Sequence, residues 1–455
     1  MRGAIAAGSR QAAEAGAWAL REGGTAIDAA IAAVFAAFVS EGPLTGPAGG
    51  GFVMLRAADG TISSLDCFFA VPSRERPAMD EVVIDFGDAS TQVFHIGPGS
   101  VAIPGLVAGL HAAHGRGARL PWAALLVPAI ELARAGIATT PEQAFLVEIL
   151  VAILQREEGG RHLYGTPGVV RTDVLVPALE LIAAAGPDAV QELLPEMAGD
   201  LERYEVVERT PIETAFAGAT VIATPEPSIG GRVVTGALAD LERRPIGDVG
   251  SCDDAVSMAA ALADGYAQAG VSAGAKPTGT TNVSVVDTDG AVVAISSTLG
   301  SGSGVFHHGF QLNNMLGELD VIGHVPRAAG TRLPSMMTPT IALQDGRPRL
   351  VVGSAGSVRL AGAITQVTAA VVGRGLTVGE AIRRPRLHVD ASVVHVEGGW
   401  GESVVEGLER AGWNVVRWAD QNLFFGGTSA VEVTPEGRLA AAGDPRRGGV
   451  GLVVE

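Results

Sequence analysis

Between residues 274 and 304 a run rich in glycine, Gly274-Ala275-Lys276-Pro277-Thr278-Gly279, gives way to a segment that alternates polar and apolar residues. Asn282 and Ser284 stand against Val283 and Val285, the two-residue period of a half-buried strand. The strand turns at Thr288-Asp289-Gly290 and returns over Ala291–Thr298. A three-residue loop with Gly290 in the left-handed position sets Thr280 opposite Thr298, whereas a two-residue Asp-Gly loop shifts the pairing by one. Either register brings two threonine hydroxyls together at the open end of a hairpin.

Thr280 stands where loop becomes strand, and that position suggests a nucleophile that carries its own base. A threonine hydroxyl is a weak nucleophile at neutral pH. Once the peptide bond before it is cut, the freed α-amine, with a pKa of about 7.7–8.0, can take the hydroxyl proton. β-Propensity alone also places threonine pairs at strand starts, so the motif taken by itself leaves both readings open.

Further motifs decide between them. Thr280–Asp287, Thr298, Leu312-Asn313-Asn314, Pro339-Thr340 and Gly353-Ser354-Ala355-Gly356 resemble the small-subunit motifs of the γ-glutamyltransferase family of N-terminal nucleophile hydrolases. In the front half Arg21–Ala30, Gly49-Gly50-Gly51-Phe52 and Ile103–Gly109 resemble the large-subunit motifs, in the same order. The resemblance implies an α+β fold, a four-layer αββα sandwich of two stacked antiparallel sheets. It also implies a precursor that cuts itself between Gly279 and Thr280, leaving a large segment 1–279 and a small segment 280–455 that remain one structural unit.

Composition is consistent with one large unit, because the 455 residues contain no long linker, charge block or low-complexity tract. Hydrophobic residues make up 47% and aromatic residues only 5%, so the core is expected to be built from Ala, Val, Leu and Ile. The 62 glycines are nearly twice the usual share of about 7%. A formal charge of −17 without a Lys/Arg cluster argues against nucleic acid or an anionic membrane as partner. Two cysteines, Cys67 and Cys252, are too few for a zinc site or a disulfide framework. The N-terminal apolar run is broken by Ser9, Arg10 and Gln11, and Ala29–Val39 is too short to span a bilayer, so a cytoplasmic location is expected.

Periodicity predicts helices over 9–22, from a Thr25-x-x-Asp28 capping box onward, over 104–116 and 121–135, from about 357 to 373, and near 378–383. Strands are expected at 52–55, 61–67, 339–344, 349–353, 387–396, 414–418, 429–434 and 451–454, with a type I′ turn at Asp345-Gly346. Helical segments with Pro/Gly breaks fill 140–245. The glycine loop before Phe52 lacks the Lys-Ser/Thr of a phosphate-binding loop, His95, His111, His114 and His162 lack metal-pair spacing, and no cofactor is expected.

Under the resemblance Thr280 is the nucleophile, Thr298 holds it by a hydrogen bond, and the backbone amides of Gly356 and Ser357 form the oxyanion site. The substrate positions depart from the family pattern. Where the family carries a carboxylate-clamping arginine, within Asp-Phe-Arg-Glu-x-Ala-Pro, this chain reads Asp66-Cys67-Phe68-Phe69-Ala70-Val71-Pro72. Gly300 replaces an asparagine, Met315 a glutamine, Glu318 an aspartate, and Ser335-Met336 a pair of serines. The expected activity is therefore an N-terminal-threonine amidohydrolase or acyltransferase acting on a small-molecule amide, with an acyl group other than γ-glutamyl. The alternatives are a γ-glutamyl enzyme with a reworked clamp, to which Arg327, Arg332 or Arg359 could contribute, and an uncut scaffold or binding protein. His307 and His308 are candidates for the entrance, and homo-oligomerisation is left open.

Overall fold

The computed structural model describes residues 2–85, 91–244, 247–271, 279–323 and 326–455. The glycine-rich run before Gly279 therefore lies outside the described residues.

Strand β1 (Gly3–Ala7) leads through Ser9, whose Oγ accepts from the Ala12 amide at 3.2 Å, into helix α1 (Arg10–Arg21). Thr25 and Asp28 close the capping box expected from their spacing and start α2 (Ala26–Ser40). Every residue of α2 is buried, which explains why it carries no polar face. Strands β2 (Gly50–Arg56) and β3 (Ile62–Cys67) follow, then helices α3 (Leu106–His114) and α4 (Trp122–Ala135). Pro104 and Pro121 precede these two helices rather than opening their first turns, Pro121 serving as the N-cap of α4.

Within 140–245, read from sequence as helical segments, lie strands as well: a two-residue one at Val169–Val170, then β4 (Val207–Arg209), β5 (Ile212–Phe216) and β6 (Ala219–Ala223). Helices α5 (Gly230–Leu241) and α6 (Cys252–Ala269) precede the central hairpin, β7 (Gly279–Asp287) and β8 (Val292–Gly300). A second hairpin, β9 (Thr340–Gln344) and β10 (Arg347–Ala355), turns through Asp345 and Gly346 at φ 52° and 73°, the pair of positive angles a type I′ turn needs. Helix α7 (Arg359–Thr368) and strands β11 (Gly427–Val433), β12 (Leu439–Gly443) and β13 (Val450–Val454) complete the main framework. The stretch 387–396 forms two strands, Leu387–Asp390 and Val393–Val396, because the chain reverses at Ala391 (φ 51°). They join Asn414–Arg417 in a small separate sheet.

The first main sheet has seven strands in the order β13-β1-β7-β8-β2-β3-β4, and the second has six in the order β12-β11-β10-β9-β6-β5. All their ladders are antiparallel. Ala4, Ala6, Met54, Val286 and Ala294 of the first sheet pack on Ile222, Ile341, Val351 and Val431 of the second, forming the layer between them. The opposite face of the first sheet packs on α1 to α4, and that of the second on α5, α6 and α7. The result is the four-layer αββα sandwich. Among the described residues no helix is long and apolar enough to cross a membrane.

Candidate active site

The central hairpin follows the three-residue register. Val286 pairs with Val292, Gly290 is left-handed at φ 81°, and the Asp287 carboxylate accepts from the Asp289 and Ala291 amides at 3.0 and 2.9 Å. That register continues to Thr281 opposite Ser297 and then slips, since Gly279 pairs with Gly300. Thr280 alone therefore faces two residues, Thr298 and Leu299, in a β-bulge, a device that re-aims side chains at sheet ends.

Thr298 Oγ1 donates to the carbonyl oxygen of Gly279 and accepts from the Gly300 amide at 2.8 Å. The sequence reading has Thr298 hold Thr280 by a hydrogen bond; the described bond goes to the peptide group joining Gly279 to Thr280. Gly279 has room for no side chain, because a methyl there would lie 2.4 Å from the Gly300 carbonyl oxygen.

A small cavity opens beside this pair. Thr280, Thr298 and Ser357 line it together with Phe68, Met315, Glu318, Ser335 and Met336, so residues far apart in the sequence converge here. Met337 and Leu360 complete the wall and were not singled out from sequence. Gly300 and Gly356 are not among the residues lining it; Gly356 precedes the lining Ser357 in the chain, and Gly300 lies beside Glu318 and Met315. Gly300, at φ 67°, could not take a side chain: a methyl there would meet Asn314 Oδ1 at 2.2 Å.

Phe68 is buried and stacks on Phe52 with ring centroids 5.2 Å apart, while Phe69 meets it edge-on. Its carbonyl accepts from Tyr204 Oη at 2.6 Å and Arg332 Nη1 at 2.8 Å. Arg332 also stacks 4.0 Å from the Tyr204 ring and lies 3.7 Å from Asp66, so it braces the Phe68 segment from behind. Arg327 donates to the Ile322 carbonyl, and Arg359 lies against the Phe424 ring at 4.4 Å. None of the three lines the small cavity, and neither do His307 and His308. Glu318 is its one ionisable side chain among the described residues, with Oε1 accepting from Ser301 Oγ at 3.0 Å.

Between β10 and α7 the backbone passes through Gly356 at φ 129° and Ser357 at φ 56°. A serine in this left-handed region is unusual and marks local strain. Ser357 Oγ is buried, with no partner among the described residues. The turn presents successive amides at a helix N-terminus, an arrangement that favours developing negative charge.

Thr280 also borders a second, larger cavity on the side of α2. Glu41, which caps the C-terminal end of α2, accepts from Thr281 Oγ1 at 2.5 Å, and burial raises its carboxyl above the ordinary glutamate range. Arg447 stands in the same wall, its guanidinium lowered to about 10 by burial. Neither residue was singled out from sequence.

Residues 12–188 and 253–454 match the family model described as gamma-glutamyltranspeptidase. The chain belongs to the gamma-glutamyltranspeptidase family. Its relatives include the acylase ACY 1 proenzyme of Pseudomonas sp. (strain SE83), 29% identical over all of this chain and 94% of that protein. The glutathione hydrolase proenzyme of Escherichia coli (strain K12) is 28% identical, over 98% of this chain and 90% of that protein. Among solved structures, a cephalosporin acylase from Bacillus halodurans superposes with a TM-score of 0.84 at 20% identity, covering all of this chain and 96% of that one. The shared fold is that of the N-terminal nucleophile hydrolases. This member of the gamma-glutamyltranspeptidase family is accordingly an amide hydrolase or acyltransferase.

Proposed function

We propose that the chain is a self-processing amidohydrolase or acyltransferase in which Thr280 is the nucleophile and the acyl group is not γ-glutamyl. In the precursor, Thr280 Oγ attacks the Gly279 carbonyl carbon, the peptide C–N bond breaks, and the α-amine of Thr280 is freed as an ester forms. Water hydrolyses that ester and leaves segments 1–279 and 280–455. In the mature enzyme Thr280 Oγ bonds to the substrate's acyl carbon while its proton passes through the α-amine to the departing amine nitrogen. Water or a second amine then takes the acyl group. The tetrahedral oxyanion is assigned to the Gly356 and Ser357 amides.

The observation that carries the acyl specificity is the wall of the small cavity. Phe68 fills the place where the family pattern has its clamping arginine, and among the described residues no cation replaces it. An acyl carboxylate buried there would lose a bidentate contact at a cost of several kcal/mol. Phe68, Met315, Met336, Met337 and Leu360 suit a short apolar chain instead. One observation favours the γ-glutamyl alternative: Glu318 offers an acceptor to an α-amine, although it leaves the carboxylate unmatched.

Mass spectrometry of purified protein should find a fragment beginning at Thr280, and Thr280→Ala protein should stay intact and inactive. A chain that never cuts supports the scaffold alternative. Paired assays with valeryl and γ-glutamyl 4-nitroanilides should favour the valeryl compound at least about tenfold in kcat/KM. The reverse preference would overturn the acyl assignment.

A further inference from the structure

Five residues other than glycine have left-handed backbone among the described residues, and four of them, Ala217, His308, Asp345 and Ala391, stand in hairpin turns where the chain must reverse. Ser357 is the exception. At φ 56° it lies between strand β10 and helix α7, with 3% of its surface exposed. Glycine would hold that backbone with less strain and would supply the same amide. The side chain of Ser357 therefore needs a reason of its own.

Ser357 Oγ is shielded from solvent and has no hydrogen-bond partner among the described residues, a costly state for a hydroxyl. Its neighbours in the small cavity are already engaged. Thr298 Oγ1 spans the Gly279 carbonyl and the Gly300 amide, Ser335 Oγ accepts from the Met337 amide at 3.1 Å, and Glu318 accepts from Ser301 Oγ at 3.0 Å. Apart from Thr280 the rest of the wall is apolar. The acceptor that suits the Ser357 hydroxyl arrives with the substrate, and the atom of an amide that gains negative charge during acyl transfer is its carbonyl oxygen.

We propose that the Ser357 hydroxyl is a further catalytic group, a third donor to the oxyanion beside the amides of Gly356 and Ser357. This rests on Thr280 as the nucleophile and on those two amides as the oxyanion site. The N–H and O–H of one serine are close enough to converge on a single oxygen. As Thr280 Oγ bonds to the acyl carbon, the carbonyl π pair moves onto that oxygen, which then accepts more hydrogen bonds than the neutral carbonyl did. The third donor is engaged fully only at that stage, so it lowers the acylation barrier and adds little to binding. Self-cleavage does not draw on it, because Thr298 already holds the Gly279 carbonyl oxygen.

Ser357→Gly is the deciding variant, since it keeps the amide, relieves the left-handed backbone and removes only the hydroxyl. Single-turnover acylation of the processed protein, followed as 4-nitroaniline release from the better of the valeryl and γ-glutamyl anilides, should fall about 100-fold, the usual effect of deleting one oxyanion donor. Substrate affinity and the rate of self-cleavage should stay near wild type, and the thermal midpoint should hold or rise. Ser357→Ala, which keeps the strain, should lose acylation to the same extent. Acylation by Ser357→Gly at close to the wild-type rate overturns the proposal. An equal slowing of cleavage and acylation, or a lowered midpoint, marks the side chain as structural and overturns it too. A loss confined to affinity assigns the hydroxyl to recognition of the acyl chain and does the same. None of these results touches Thr280 as the nucleophile. Amide turnover by Thr280→Ala, or turnover of neither anilide by the wild type, sinks the proposed function itself and this inference with it.

Discussion

Thr298 places its hydroxyl on the carbonyl of Gly279, and it is itself held by the Gly300 amide. Under the proposed self-cleavage this would polarise the carbonyl that Thr280 attacks, so Thr298 would act on the scissile group and not only on the nucleophile. Thr298→Ala should slow self-cleavage by about 100- to 1,000-fold, the usual effect of deleting one donor to a developing oxyanion, while Thr298→Ser should keep most of the rate. The time course of intact chain against fragments measures this, and an unchanged rate in the alanine variant would refute it. At this scale the sequence showed which residues meet and not which atoms. The hairpin period puts Thr280 beside Thr298, but only the bulge decides that the hydroxyl reaches a backbone carbonyl.

Helix α2 is the element on which the site's first wall rests, since Glu41 and Leu44 follow directly from its end. Its start depends on Asp28, a fully buried carboxylate that accepts from the amides of Thr25 at 2.7 Å, Arg119 at 2.9 Å and Leu120 at 3.0 Å. Asp28→Ala leaves those three donors unmatched in the interior and should lower stability by about 3 kcal/mol or more, read as a drop in the urea midpoint. A loss under about 1 kcal/mol would mean that water replaces the carboxylate. The capping box was legible because its signal is local. Strands β1 and β12 were not, since Gly3–Ala7 and Leu439–Gly443 are largely alanine, which has low strand preference and gives no alternation. In β1 the alternate residues Ile5 and Ala7 face the helices while Ala4 and Ala6 face the other sheet, so both faces are apolar. Burial on two sides erases the period that exposes a strand to sequence reading.

Across the whole molecule the two proposed segments are interleaved rather than juxtaposed. Strand β1, from the first segment, lies between β7 and β13 of the second, and β8 of the second pairs with β2 of the first. A cut at Gly279 would therefore leave hydrogen-bonded ladders crossing between the pieces on several strands, and they should co-elute in size exclusion and separate only in denaturant. The overall layer order was legible from motif order, whereas this interleaving was not, because it depends on strands the sequence hid.

Gly3 pairs with Val454, and the Arg2 amide donates to the Val454 carbonyl at 2.7 Å. The first and last strands of the framework are thus side by side, and a short linker could join them. A circularly permuted gene opening at Thr280 and closing at Gly279 would deliver Thr280 with its α-amine already free once the initiator methionine is trimmed. Such a permutant should hydrolyse amides with no maturation step, and one that folds yet stays silent would show that the cut does more than release an amine.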